Sequence, residues 1–554
     1  MNVKLHPMGT TASRALPSLN ARMSLAVRAG IATLVLGIEK SLLNLLVDFS
    51  ATQTAQGFGA IVRVAQHWGF RFAVTFAGAL ALFCYVREDD RLRALNAAGR
   101  GESLSIPWLL AHFACIALLA PVSYFLYGDR GAPLPFPVLV ASWLLLAAVA
   151  SIALLNALAP WALWRRLSRT IGVLWLYAGA AGLAAASAME WSQKLWSPTA
   201  AVTFRLVRIV LLPFIPSLQS NAPAHILFTN HFAIEVADVC SGLEGMGLML
   251  AFCCAWLIYF RKEYRFPRAL ILIPAGLALM FALNVVRIST LMAIGNAGFP
   301  NVAVYGFHSQ AGWIAFNLAA GGLAYATLRS RWLSRNPGVQ RESIAGENPT
   351  AAYLLPFLSI LAAAMLARAI SSGFESLYVL RLVAAATCLA IYWPRLKSLD
   401  WRFSWRAPVL GIVVFAAWIA CASLVLHRSV MPHALVAMAP IPRTLWIIAR
   451  VAASVVTVPI AEELAYRGYL MRRLVAEDFE RVRFESVGVW PLIVSSAVFA
   501  ISEGSLWLPG AIAALLFGAI LIRTARFGEA VAAHATTNGL VCAYVLLANQ
   551  WQLW

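Results

Sequence analysis

Residues 407–426 read APVLGIVVFAAWIACASLVL, an uninterrupted apolar run without a charged side chain. A helix that crosses the hydrocarbon core of a bilayer takes about 20 apolar residues. Residues 143–158, WLLLAAVASIALLNAL, are of the same kind. A transmembrane barrel would instead show segments of about 10 residues with alternating polarity. These continuous runs therefore predict membrane-spanning helices.

The composition extends this pattern to the whole chain. Of 554 residues, 61% are hydrophobic and 12% are charged, whereas an ordinary soluble domain is roughly half apolar and about a quarter charged. This excludes a soluble multidomain enzyme. We predict an all-α, polytopic transmembrane helical protein with about 14 to 16 spans in two membrane domains.

The net charge of +19 raises the question of a nucleic-acid partner. The basic residues lie in short clusters between apolar runs and form no long basic surface studded with aromatic rings, so no nucleic-acid partner is expected. Cytoplasmic loops of membrane proteins carry the excess Lys and Arg. We assign to the cytoplasm the clusters at 87–100, 165–169, 261–268, 329–341, 395–406 and 472–483.

A linker signature separates two parts of the chain. Residues 329–350, RSRWLSRNPGVQRESIAGENPT, contain Asn-Pro twice and two glycines, a composition typical of loops. We place a boundary near Gln340, which gives one membrane domain over 1–340 and another over 341–554. In the first domain, the amphipathic stretch 204–215 predicts an interfacial helix within an outer-face loop.

One cysteine differs from the others. Seven of the eight cysteines lie inside apolar runs, where a cysteine is most often a small buried hydrophobe. Cys240 lies in the polar, glycine-rich stretch AIEVADVCSGLEGMG just before a hydrophobic run. A helix start there would expose the sulfur and lower its pKa. No Cys or His spacing typical of a zinc site occurs.

The charge pattern brings three polar side chains to one face of the membrane. If the cluster at 261–268 is cytoplasmic, Cys240 lies at the outer face, the next span ends near Arg287, and His308 follows in a loop. A thiolate nucleophile, a base that also protonates the leaving amine, and a cation are the parts of a thiol peptidase. The alternatives are an arginine that snorkels to the interface and a solvated histidine. Asn284, one turn before Arg287 in an apolar helix, favours a functional arginine.

At these residues the sequence resembles the exosortases, over roughly residues 154–328. The matching motifs are Cys240-Ser241-Gly242, Asn284-Val285-Val286-Arg287 and His308. The resemblance implies cleavage of a C-terminal tail, made of a short motif, a membrane helix and a basic end, from exported proteins. It also implies an acyl-enzyme on Cys240, and a bacterial inner membrane with the Cys240 site facing the periplasm. The acceptor of the acyl group stays open.

A second constellation lies in AEELAYRGYLMRR, at 461–473. Two adjacent carboxylates, Glu462 and Glu463, lie at the edge of a predicted span. Charged groups inside a membrane cost free energy, so this pair indicates a specific role. Arg467 is four residues after Glu463 and is expected to pair with it, which leaves Glu462 free to activate water. His534 and Asn538, also four apart, would share one helix face as oxyanion donors. The alternative is a helix-end ion pair with a polar packing patch.

This pattern resembles the CAAX protease and bacteriocin-processing family, over approximately residues 447–546. The family implies a glutamate-activated water that attacks a peptide within the membrane. Its middle motif, FxxxH, reads Phe499-Ala500-Ile501-Ser502-Glu503 here, so Glu503 takes the histidine position. The predicted topology places Glu503 toward the outer end of its span, away from Glu463 and His534 near the inner face. We expect no cofactor, and a divalent metal ion in this half is the alternative.

Together the two resemblances match the exosortase E/protease type, which is associated with tails carrying a VPEID-like motif. The expected partners are such tailed proteins and the lipid bilayer. A transporter or glycan permease would use Arg287 and the glutamate pair to bind substrate or relay protons. That alternative predicts an inverted repeat, which is not apparent, and gives Cys240 no role. In a third interpretation, the second half presents substrate without catalysing.

Overall fold

A computed structural model of the protein describes residues 105–127, 134–335, 348–426 and 429–554, and isolated earlier positions (28, 32, 35, 36, 39, 72, 75, 76, 78–80 and 83). The predicted boundary near Gln340 and the basic cluster at 87–100 lie outside these residues. The chain divides into two compact units, residues 1–187 and residues 188–554.

The first unit is built on two apolar helices that pack side by side. They are α1 (Ile106–Tyr127) and α2 (Phe136–Leu158). The buried face of α2 includes Ala150, Ala153 and Ala157, whose small side chains let the helices approach closely. His112, almost fully buried on α1, contacts the Ala150 carbonyl at 2.9 Å through Nδ1. Two further helices follow, α3 (Trp161–Ile171) and α4 (Leu174–Leu211).

The second unit contains the remaining helices and a small sheet. After α4 come β1 (Gln219–Asn221), β2 (Ile226–Phe228), β3 (Ala233–Glu235), α5 (Leu243–Tyr259), α6 (Leu272–Asn296) and α7 (His308–Arg329). They are followed by α8 (Pro349–Ala369), α9 (Val379–Leu396), α10 (Arg406–Val425), α11 (His433–Val436) and α12 (Pro440–Ala452). The last are α13 (Val458–Glu463), α14 (Met471–Arg473), α15 (Val489–Ser502), α16 (Trp507–Thr524) and α17 (Phe527–Ala548).

The all-α polytopic class is confirmed. Ten helical segments within the described residues are long and apolar enough to cross a membrane, or 11 if the bent pair formed by α3 and the start of α4 is one span. Two shorter apolar helices, α5 and α15, add to these. The total of 14 to 16 spans stays a prediction for the whole chain.

The segment between α4 and α5 differs from its prediction. Residues 204–211 form the end of the long helix α4 and not a separate interfacial helix. The reason is that Phe204, Val207 and Leu211 form an apolar stripe that packs on the antiparallel sheet β1-β2-β3, against Leu227 and Ile234. The stripe is therefore covered by protein and does not need a lipid surface.

Three segments with the wider π-helical turn stand next to the predicted functional residues. Val302–Phe307 leads directly into His308, while Ala453–Thr457 and Leu464–Leu470 flank the helix that ends at Glu463. A π turn inside an α-helix shifts the side chains that follow it and frequently occurs at functional sites. Each of these segments sets the direction of a polar side chain in an otherwise apolar helix.

Candidate functional site

Cys240 lies where the small sheet passes into α5. It ends a short 3₁₀ turn, Asp238–Cys240, between β3 and α5. Gly242 follows in the left-handed conformation, with φ of +95°, which costs a glycine little. A Cβ atom at Gly242 would lie 2.8 Å from Nδ2 of Asn284. The glycine of the Cys-Ser-Gly motif thus allows the loop to rest directly on α6.

Helix α6 supports the cysteine with two side chains one turn apart. Asn284 is buried and donates from Nδ2 to the backbone carbonyl of Cys240 at 2.9 Å. Arg287 donates to Oδ1 of Asn284 at 3.4 Å. The buried Nε of Arg287 has no hydrogen-bond partner among the described residues. The charge of Arg287 acts on both Cys240 and His308. The predicted cation therefore lies near enough to interact with both the predicted nucleophile and the predicted base.

A cavity of about 450 Å³ opens beside this group. Gly242, Asn284 and Arg287 line one side, and Ser309 and Gly312 of α7 line another. His308, the first residue of α7, is exposed, and within the described part of the chain no hydrogen bond joins it to Cys240. Ser309 was not singled out in the sequence, although its position directly after His308 could have indicated it.

The electrostatic setting of Cys240 differs from the prediction. Burial raises the pKa of the Cys240 thiol above its ordinary value, and the carboxylates of Glu244 and Glu235 add to the rise. The guanidinium of Arg287 opposes it. The expectation that the helix start would lower this pKa is wrong, because removal of the thiol from water outweighs the nearby positive charge.

The raised pKa gives a test by alkylation. The thiolate is the reactive form, so the rate at which iodoacetamide labels Cys240 should rise with pH through a midpoint above about 8.5, the usual thiol value. Arg287→Gln removes the charge that lowers the pKa, so the midpoint should move higher still. Peptide mapping by mass spectrometry follows the labelling. The control Arg268→Gln, at the other end of the same span, should leave the midpoint unchanged, and a midpoint below the usual value contradicts the assignment.

The second constellation forms a buried polar cluster. Glu463 and Arg467 lie within 3.2 Å of each other, as their spacing predicts, and both side chains are about 1% exposed or less. His534 contacts the same carboxylate oxygen of Glu463 through Nδ1 at 3.0 Å. The ring of Phe517 stacks on the imidazole with a centroid distance of 5.1 Å. Glu463 is thus held by two partners, and His534 is fixed in orientation.

Glu462 has more freedom than its neighbour. Its side chain is 18% exposed, and its Oε2 lies 3.8 Å from Nε2 of His534. Asn538, one turn after His534, donates to the Ser454 carbonyl at 2.9 Å. That carbonyl belongs to the π-helical segment Ala453–Thr457. Asn538 therefore binds backbone here, while His534 faces both glutamates.

Glu503 lies closer to this cluster than predicted. Its carboxylate interacts electrostatically with Glu462 and with Tyr466, and the Tyr466 hydroxyl donates to Ser502 at 3.3 Å. The expectation that Glu503 is remote is wrong, because α15 has only 14 residues. Such a helix rises about 21 Å, which is less than the roughly 30 Å hydrocarbon core. Its C-terminal end therefore lies near the cluster.

The cluster does not fit a metal ion. Within the described residues, no three His, Cys, Asp or Glu side chains converge as possible ligands. Oε1 of Glu463 already contacts both Arg467 and His534, so this carboxylate is occupied by protein groups.

Comparisons with known proteins match both regions. Residues 64–325 match the family model described as Transmembrane exosortase (Exosortase_EpsH). Residues 444–540 match the model described as Type II CAAX prenyl endopeptidase Rce1-like. A search of curated proteins and a search of solved structures each found no match. The two matched regions contain the two candidate sites, so both resemblances are confirmed, and they indicate a multi-pass, membrane-embedded protease.

Proposed function

We propose that the exosortase-type region is a cysteine peptidase that cleaves C-terminal sorting tails. In the same chain it is joined to a CAAX-protease-type region. Its substrates would be exported proteins that carry a short motif, a membrane helix and a basic end. The site would face the periplasm from the bacterial inner membrane. The observation that carries this proposal is the hydrogen bond from Asn284 to Cys240, with Arg287 one turn away and acting on His308.

The proposed reaction is an acyl transfer. His308 takes the proton of Cys240, and the sulfur attacks the carbonyl carbon of the scissile peptide bond. The carbon–nitrogen bond breaks, His308 returns the proton to the leaving amine, and the acyl group remains on Cys240 as a thioester. Arg287 stabilises the negative charge that forms on the carbonyl oxygen. An amine or water then attacks the thioester and restores the thiol.

The raised pKa of Cys240 suits this order of events. A thiol that is neutral at rest does not react with solvent oxidants or stray electrophiles. Proton transfer to His308 would then occur only when the substrate closes the cavity and brings the two side chains together. Catalytic hydrogen bonds are often long in a free enzyme and tighten in the complex.

For the second region we propose a glutamate-dependent peptidase. Glu462 is the less enclosed of the two carboxylates, with 18% of its side chain exposed, whereas Glu463 is fully buried and contacts Arg467 and His534. This difference supports Glu462 as the group that would take a proton from water, with His534 positioned by Glu463. A role in presenting substrate without catalysis is the alternative for this region.

A co-expression assay tests the proposal for the first region. A tailed reporter is produced with the wild-type chain, with His308→Ala and with Glu462→Gln, and the products are compared by gel and intact mass. We expect His308→Ala to lower Cys240-dependent cleavage about 10²-fold or more, because it removes the acid and base. Glu462→Gln should leave that cleavage unchanged. Unimpaired processing by His308→Ala would contradict the assigned role.

A further inference from the structure

A second cavity adjoins the cysteine site. It measures about 470 Å³, which is within the range of small-ligand sites. We call it the arginine pocket, after Arg368, Arg381 and Arg450 in its wall. Tyr378, Trp446 and Trp554 complete its aromatic sides. Ser309 lines both this pocket and the cavity beside Cys240, so the two spaces are neighbours at the residue after His308.

The pocket carries more positive than negative charge. Glu375 is the carboxylate in its wall, and Arg381 donates to both of its oxygens, from Nε at 2.6 Å and from the second guanidinium nitrogen. Arg368 donates to Glu375 at 3.2 Å. Three guanidinium groups thus face one carboxylate. By count of side chains, the pocket wall therefore has two more basic groups than acidic ones.

Arg450 is the guanidinium without a carboxylate partner among the described residues. Its Nε is buried and has no hydrogen-bond partner. The guanidinium lies 4.4 Å from the ring centroid of Tyr378 and 5.5 Å from that of Trp554. Cation–π contact offsets only part of the cost of removing a cation from water. A charged side chain inside a membrane segment usually faces a functional cavity.

The geometry points to the arginine pocket as a binding site for an acidic segment of the peptide substrate, with Arg450 as the group that receives a carboxylate. This inference rests on the proposed function of Cys240. A guanidinium receives a carboxylate through two parallel hydrogen bonds, and the rings of Tyr378 and Trp554 already contact the Arg450 guanidinium. Because Ser309 lines both cavities, a peptide bound in the arginine pocket would lie next to the cavity beside Cys240.

The position of the pocket favours a peptide over a phospholipid headgroup. Its wall includes Tyr305, Ser309 and Gln310 from the segment that carries His308. A Cβ atom at Gly306 would lie 2.1 Å from the Ser371 carbonyl, so this segment packs directly on the chain that follows α8. The helix of the candidate base thus forms part of the pocket, so a ligand bound here would lie beside the residues next to His308.

The test uses the full-length protein in nanodiscs and two tailed reporters. One reporter has a Glu and an Asp in the segment before its membrane helix, and the other has Gln and Asn there. We expect Arg450→Gln to raise KM for the acidic reporter about 10-fold or more, with little change in kcat and no change for the neutral reporter. Arg450→Lys should restore part of the loss. Arg443→Gln, on the same helix but outside the pocket, should behave as wild type.

Binding separates this inference from the proposed function. In a Cys240→Ala background, the acidic peptide should bind more tightly than the neutral one, and Arg450→Gln should remove the difference. Binding that depends on Arg450 without any Cys240-dependent cleavage would overturn the proposed function alone. Equal losses for both reporters would overturn the inference and assign Arg450 a structural role. If the loss caused by Arg450→Gln depends on the anionic lipid content of the nanodisc and not on the reporter, the inference is overturned, and the pocket binds a lipid headgroup instead.

Discussion

Cys240→Ala will leave the tailed reporter uncleaved and membrane-bound. Loss of a catalytic nucleophile lowers turnover by about 10⁴-fold or more, because the remaining groups can orient and polarise the peptide but cannot form the thioester. The Asn284 hydrogen bond goes to the backbone carbonyl of Cys240, so the substitution leaves the support of the loop intact. The reporter should therefore keep its full mass by gel and mass spectrometry, while the protein folds normally.

The matched control is Cys254→Ala. Cys254 is also a free, partly buried cysteine, and it lies on α5, outside the cavity that opens beside Cys240. We expect wild-type cleavage from this variant. Normal processing of the reporter by Cys240→Ala would remove the cysteine from the mechanism and with it the proposed acyl-enzyme.

The second large effect is on stability, from Arg467→Met. The side chains of Glu463 and Arg467 are almost completely buried, and Arg467 also donates to the Ala514 carbonyl at 3.2 Å. Removal of the arginine leaves a buried carboxylate without its cation, which costs about 3–5 kcal/mol of unfolding free energy. Chemical unfolding in detergent measures the loss.

Two comparisons show whether the loss comes from the unpaired charge. Arg473→Met removes an arginine whose ion pair with Glu477 is exposed, and pairs of that kind contribute about 0–1 kcal/mol. The double variant Glu463→Gln with Arg467→Met should recover part of the stability, since no charge stays buried. A single variant Arg467→Met as stable as Arg473→Met would show that the buried pair does not hold the helices together.

The sequence predicted local geometry best. The pairing of Glu463 with Arg467 follows from helical spacing alone, and it is present. The prediction that Cys240, Arg287 and His308 lie at one face needed only the charge pattern and the direction of the spans, and Arg287 interacts with both of the others. The first prediction depends on a few neighbouring residues, and the second depends on a charge rule that applies to the whole chain.

The predictions that were wrong concern features that depend on packing between distant segments. Strands of three residues carry too few side chains to show an alternating pattern, so the sheet β1-β2-β3 was missed. The position of Glu503 depended on where α15 ends within the membrane. The pKa of Cys240 depended on how many distant atoms exclude water from the sulfur. None of these quantities can be read from the spacing of residues.

Gly306 has a mechanical consequence for the chain. The missing side chain lets the segment before His308 rest on the carbonyl groups of Arg368, Ala369 and Ser371. At this contact the segment that leads into His308 packs tightly against the end of α8. A movement of the end of α8 would therefore displace the segment that leads into His308. Any side chain at residue 306 would push these two segments apart and would change the position of His308 relative to α8.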